Sequence, residues 1–174
     1  MPVGNLEFIK SASGTSVSSL SVTDCFSADY DVYAVVSTSQ EQAGTTTLFG
    51  LMRFINSGGV ISTANYDFAS LRVASWTTFA EIRNTNQTSI LGEFFLDTEN
   101  FAESGGIVSY IYNPNDISSY TFLSAQSTYF NNANGLEGTK AIGVYKVAEQ
   151  ITGINIGVNT GTLDDINLKV YGVK

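Results

Sequence analysis

The chain has no histidine, a single cysteine and only two prolines in 174 residues. Without histidine there is no Ser-His-Asp or Cys-His nucleophile system, and the commonest transition-metal ligand is missing. Cys25 has no second cysteine with which to form an intrachain disulfide, so cysteine usage leaves the redox compartment open. No nearby basic residue in the sequence lowers its pKa. It reads as a small buried apolar side chain, since free cysteine is among the most buried residue types. With proline confined to Pro2 and Pro114, turns have to be built from glycine and asparagine.

Charge is scarce as well. Charged residues make up 14% of the chain, against a usual share of about 25%. Eight basic and sixteen acidic residues give a net charge of −8. Lys10, Arg53, Arg72, Arg83, Lys140, Lys146, Lys169 and Lys174 are scattered, with no two adjacent. A nucleic-acid binder needs a basic stripe to displace counterions from phosphates. Nucleic acid and anionic membrane are therefore not expected partners. No run of about 18 apolar residues predicts a membrane helix, and the first twenty residues lack the apolar core of a signal peptide. The expectation is a soluble protein made in the cytoplasm.

Serine, threonine, asparagine and glycine supply 68 of the 174 residues. They disfavour helix interiors but suit turns, edges and wet strand faces. Period-two alternation, the mark of a half-buried strand, recurs along the chain. It is visible at Leu6–Lys10, Val17–Val22, Val32–Val36 and Leu48–Ile55. The Asn56-Ser57-Gly58-Gly59 turn then predicts a hairpin into Val60 and Ile61. Phe68 and Leu71 stand three apart, so a helical turn competes with a strand over residues 66 to 75. Phe79 and Ile82 open another segment, which a polar turn at Asn84–Gln87 closes. Further strands are expected at Ile90–Leu96, Ile107–Tyr112, Tyr120–Ala125, Ala141–Val147, Ile151–Val158 and Ile166–Val173. Residues 127 to 139 read as a polar Asn/Gly-rich loop carrying Tyr129 and Phe130.

This amounts to about ten to twelve short antiparallel strands in one domain spanning residues 1–174. The expected fold is all-β, a jelly-roll-like two-sheet sandwich. An up-and-down barrel is the competitor, and periodicity does not separate the two. No linker, low-complexity tail, heptad pattern or internal repeat is visible. The first strand begins near residue 6, leaving no evident attachment segment.

Site chemistry is sparse, and the expectation is a protein that is not an enzyme. A glycosidase needs only two suitably separated carboxylates, and Asp24, Asp29, Asp31, Glu93, Asp97, Glu99 and Glu103 are the candidates. Oxygen-rich loops at Asp24–Asp31 and Asn159–Asp165 lack the D-x-D-x-D-G spacing that wraps a calcium ion. Asx turns account for them without a metal. Gly157 and Gly161 belong to no phosphate loop. No cofactor is expected. Most of the 21 aromatic residues alternate with apolar neighbours and should be core. Trp76, Tyr129 and Phe130 are the candidates for contact with a partner or a glycan.

Three stretches resemble β-rich structural proteins of tailed bacteriophages, of the kind infecting cyanobacteria and marine bacteria. They are the Leu20–Tyr33 strand with its Phe26 and its Tyr30-Asp31-Val32-Tyr33 step, the Leu51–Tyr66 segment, and Ile151–Ile156 with the terminal Lys169–Val173. The resemblance implies a virion location, reached by assembly in the host cytoplasm, and supplies no catalytic residue. It does not choose the position in the particle. The compact stand-alone domain, the acidic composition and the lack of any site favour a capsid decoration or cement protein docked on the major capsid protein or another virion protein. Capsid geometry together with the resemblance implies a symmetric homo-oligomer, most naturally a trimer. A tail-fibre or receptor-binding module for host surface glycans is the alternative.

Overall fold

The computed structural model describes residues 5–42, 50–92, 105–131 and 135–174; among them are thirteen β-strands and no helix. The strands are β1 (Leu6–Val17), β2 (Ser19–Val22), β3 (Val32–Gln42), β4 (Gly50–Asn56), β5 (Gly59–Val60), β6 (Tyr66–Ala74) and β7 (Ala80–Gln87). They continue with β8 (Ile90–Gly92), β9 (Gly105–Tyr112), β10 (Thr121–Asn131), β11 (Gly135–Tyr145), β12 (Gly153–Val158) and β13 (Leu163–Val173).

All pairings are antiparallel. The larger sheet has eight strands in the order β1-β13-β3-β9-β10-β11-β6-β7. The smaller has five, in the order β2-β12-β4-β5, with β8 also on β4. Eight of the thirteen strands make a jelly roll, with β1-β13-β3-β9 in one layer and β2-β12-β4-β8 in the other. Successive strands of the eight alternate between layers except β4 and β8, which pair within one layer, and the two halves of the chain run back along each other, as two nested Greek keys require. The remaining strands are inserts. β5, β6 and β7 lie between β4 and β8, and β10 and β11 lie between β9 and β12. The inserts meet where β11 pairs with β6, and together they widen the larger sheet well beyond the jelly-roll layer.

Alternation produces the core. On β13, Ile166, Leu168 and Val170 point inward and are fully buried, while Asn167 and Lys169 point away. Facing them from the smaller sheet are Met52, Phe54, Ile90, Ile154 and Ile156. Burying each such side chain contributes about 1.5–3 kcal/mol. Buried phenols keep their hydrogen bonds, as they must in a dry core. The Tyr66 hydroxyl accepts from the Phe54 backbone NH at 3.0 Å and donates to the Ile61 carbonyl at 3.2 Å. The ring of Tyr145 lies 4.9 Å from that of Tyr66, and its hydroxyl donates to Glu149 Oε1 at 2.6 Å. Burial and this bond to a carboxylate push the Tyr145 phenol up to about 12. Asn56 Nδ2 donates to the other Glu149 oxygen at 3.0 Å, tying the β4–β5 turn to the same cluster.

The structure decides one segment the sequence left open and departs from the expectation in two others. Residues 66–74 form strand β6, because pairing with β11 on one side and β7 on the other outweighs the Phe68/Leu71 spacing. Asn84–Gln87 is not a turn but the continuation of β7. A register shift between Tyr66 and Phe68, with Asn86 at φ 54°, lets the strand carry on. The described residues of 127–139 are strand rather than loop. β10 runs to Asn131 and β11 starts at Gly135, where φ of +111° suits glycine.

The core tolerates little extra volume beneath β8. A Cβ on Gly143 would stand 2.6 Å from Ile90 Cδ1 and 3.0 Å from Ile90 Cγ1. Gly143→Val is therefore expected to lower unfolding stability by about 1–3 kcal/mol. Urea denaturation measures this, and an unchanged midpoint would contradict the packing described here.

Candidate functional site: the outer face of the larger sheet

In a strand pair, residues directly opposite each other point to the same face. The register of the larger sheet therefore gives its outward-pointing side chains as rows running across the strands. One row is Lys169, Val36, Val108, Gln126, Lys140, Leu71 and Glu81, on β13, β3, β9, β10, β11, β6 and β7 in turn. The next is Tyr171, Ala34, Tyr110, Ser124, Ile142, Ala69 and Arg83. Phe8 extends it onto β1, with its ring 5.8 Å from that of Tyr171. A third row runs Val32, Tyr112, Phe122, Val144 and Asp67. Beyond the first row lie Thr38, Gly106, Thr128, Gly138 and Val73, and then the pair Phe130 and Leu136.

A sheet face in water normally alternates apolar-in with polar-out. This one is apolar on both sides. Phe8, Leu71, Val73, Val108, Tyr110, Phe122, Phe130, Leu136 and Ile142 are all exposed, and Ile142, in the middle of the face, is 64% exposed. Two open depressions of about 830 and 810 Å³ lie side by side on it. Small residues, Ala69 and Ser124, line the first between Tyr110, Ile142, Leu71 and Arg83. Phe122, Tyr112 and Val144 line the second.

The charges sit mostly at the margins. Lys169 lies on the β13 side and Glu81 and Arg83 on the β7 side, with the last two 3.5 Å apart. Lys140 is the one cation within the first row's interior. At one end Lys146 Nζ meets Asp67 Oδ1 at 2.8 Å. That contact, helped by the backbone NH of Asn86, holds the Asp67 carboxyl below its free value of 3.8.

Of the residues singled out from sequence, the structure separates Tyr129 from the other two. Tyr129 is 7% exposed and points into the sandwich opposite Glu137, so it is not available to a partner. Phe130 follows it on β10 and therefore points outward, at the end of the apolar face. Trp76 lies in the β6–β7 connection, 42% exposed, with the Arg72 guanidinium 5.8 Å from its ring centroid. Among the aromatics expected in the core, Phe26, Tyr33, Phe54, Tyr66, Phe68 and Tyr145 are buried, whereas Phe8, Phe79, Tyr110, Tyr120 and Phe122 are not.

The carboxylate candidates do not form a described centre. Asp24, Asp29 and Asp31 lie between β2 and β3, where Ser27 Oγ donates to Asp29 Oδ2 at 2.8 Å. Glu93, Asp97, Glu99 and Glu103 lie outside the described residues. Among the described residues no three acidic or sulfur ligands converge as a metal site would require. Cys25 is buried, with Sγ 3.3 Å from the Val22 carbonyl, and desolvation pushes its thiol up to about 12.

The fold and this face together define a jelly-roll protein with one wide, open, apolar sheet surface. The chain matches no protein-family model and no curated protein sequence.

Two expectations follow from these local environments. Cys25 in the native protein is expected to stay unreacted with a thiol reagent near neutral pH and to react once urea unfolds the chain; rapid native labelling would contradict its burial. The depressed Asp67 contributes stability that is complete above its free pKa and is lost as pH falls through its lower folded value. Urea midpoints should therefore drop from about pH 5 to about pH 3, and by less in Asp67→Asn. An equal drop in both proteins would remove Asp67 from the account.

Proposed function

We propose that this protein is a non-catalytic structural subunit of a bacteriophage virion, a decoration or cement protein that works by docking through the outer face of its larger sheet. The observation that carries the reading is the size and character of that face. At about 200 Å² per large side chain, the exposed fractions of its nine large apolar residues expose roughly 800 Å² of surface. The largest apolar patch on an ordinary monomer is about 300–600 Å², while a standard protein interface buries about 800 Å² on each partner. Aliphatic side chains such as Ile142, Val108 and Leu71 offer packing surface to another protein and no hydrogen bonds to a polar ligand.

The fold agrees with this role, since jelly rolls serve as capsid and lectin domains, although a fold alone does not decide function. The partners under this reading are the major capsid protein or other virion proteins, together with further copies of the chain. A tail-fibre module recognising host glycans is the second reading, favoured by the half-exposed Trp76 in a connection between strands.

Quantitative mass analysis of purified particles tests the first reading. Hundreds of copies per particle support a shell protein, a few to a few dozen move it to the tail, and absence from particles overturns a virion role. Binding of the purified protein to host lipopolysaccharide, lost in Trp76→Ala, would support the second.

A further inference from the structure

We propose that the outer face of the larger sheet is a contact between two copies of this chain, stacked face to face about a two-fold axis that runs close to β10. The inference rests on reading that face as a protein-docking surface, but not on the location of the protein in a virion.

The strand order is nearly symmetric about β10. β9 and β11 flank it, then β3 and β6, then β13 and β7. A two-fold axis along β10 therefore sets β9 over β11, β3 over β6 and β13 over β7, within each row. The residues so brought together are complementary. In the first row Lys169 meets the partner copy's Glu81, Val36 meets Leu71, Val108 meets the alkyl stem of Lys140, and Gln126 meets its own copy.

The second row agrees independently. Tyr110 meets Ile142, and the ring of Tyr171 meets the Arg83 guanidinium, a cation–π pairing. Large residues thus face large ones, while Ala34 and Gly138 lie buried beneath their neighbours and take no part in the contact. Aligned sheets pack with a twist of about 30°, which displaces the margins most. The margin residues Lys169, Glu81 and Arg83 have the long side chains needed to span that offset.

The other in-plane axis, across the strands, sets each strand over its own copy. Laid along the first row, it would bring Lys169 to Lys169 and Lys140 to Lys140, and like charges in contact are destabilising. Charge order along that row favours instead the axis along β10, which sets Lys169 against Glu81. The area is close to what a stable interface needs. Without Phe8, whose strand β1 has no counterpart across the axis, the face still exposes roughly 700 Å² of apolar surface per copy, against about 800 Å² buried on each partner of a standard interface.

Sedimentation equilibrium on the full chain tests the proposal. A dimer is expected, and Ile142→Glu should weaken it at least tenfold. Ile142 is exposed, so this variant should keep the wild-type circular dichroism and, at a dilution where both proteins are monomeric, the wild-type urea midpoint. Geometry is tested separately with single cysteines, the native Cys25 being buried. Stacked sheets stand about 10 Å apart, too far for a disulfide but within reach of a short bismaleimide. Gln126→Cys and Ser124→Cys, on the axis, should each cross-link to themselves. Lys169→Cys should cross-link efficiently only when mixed with Glu81→Cys. A monomer at about 100 μM, a trimer, a dimer indifferent to Ile142→Glu, or self-cross-linking at Lys169→Cys but not at Gln126→Cys would each overturn it. None of these outcomes bears on copy number in particles, so this proposal and the virion reading fail separately.

Discussion

A residue in a sandwich strand can bury its side chain on one face of the sheet only, and pairing decides which face. In the larger sheet that decision is made by the inner side. Tyr33, Ile111 and Leu123 stand in one row across β3, β9 and β10, with Gly143 beside them on β11 making room for Ile90 of the opposite sheet. Slipping any of these strands by one residue would turn its inner set outward. The buried row therefore locks the register, and the outer rows follow from it without further choice. Tyr110, Ile142 and Phe122 are neighbours on the surface because Ile111, Gly143 and Leu123 are neighbours in the core.

The inserts give the face its extent. The jelly-roll layer alone would present Phe8, Tyr171, Val36, Val108 and Tyr110. β10, β11 and β6 add Phe122, Ile142, Val144, Leu71, Val73 and the Phe130–Leu136 pair. With them the surface reaches the scale of a protein interface rather than that of a stray hydrophobic patch. Most of the acidic excess lies elsewhere. The face and its margins carry Arg83, Lys140, Lys146 and Lys169 against Glu81 and Asp67, on a chain of net charge −8. The acidic remainder favours solubility and discourages indiscriminate association, leaving one surface on which apolar contact is favoured.

Much of the fold could be read from residue order. Strict alternation in Ile166–Tyr171 and the Asn56–Gly59 turn identify β13 and the β4–β5 hairpin without any structure. The all-β class and a strand count close to the thirteen observed follow from the same pattern, whereas the two-sheet sandwich does not, since alternation fits an up-and-down barrel equally. The face itself could not be read this way. In Ile107–Tyr112 and Tyr120–Ala125 both alternating sets are apolar, and period two alone does not say which set is inside. The inward set is fixed by pairing between β9, β10 and β11, segments whose partners the sequence does not declare. Tyr129 was misplaced for a related reason: Asn131, Asn132 and Asn134 make the surroundings look like a loop, yet the alternation of Ser127, Tyr129 and their neighbours continues to the end of β10. For all three aromatics the sequence allowed core or interface alike; Trp76 and Phe130 are exposed and Tyr129 is buried.

The central claim is that the apolar outer face is covered in the working state of the protein. Hydroxyl-radical footprinting measures this directly, by comparing the assembled protein with a dispersed Ile142→Glu reference. Strong protection of Tyr110 and Phe122 in the assembled state is predicted, with Ile117, exposed in the β9–β10 connection, equally reactive in both. Equal reactivity of Tyr110 and Phe122 in the two states would contradict the account.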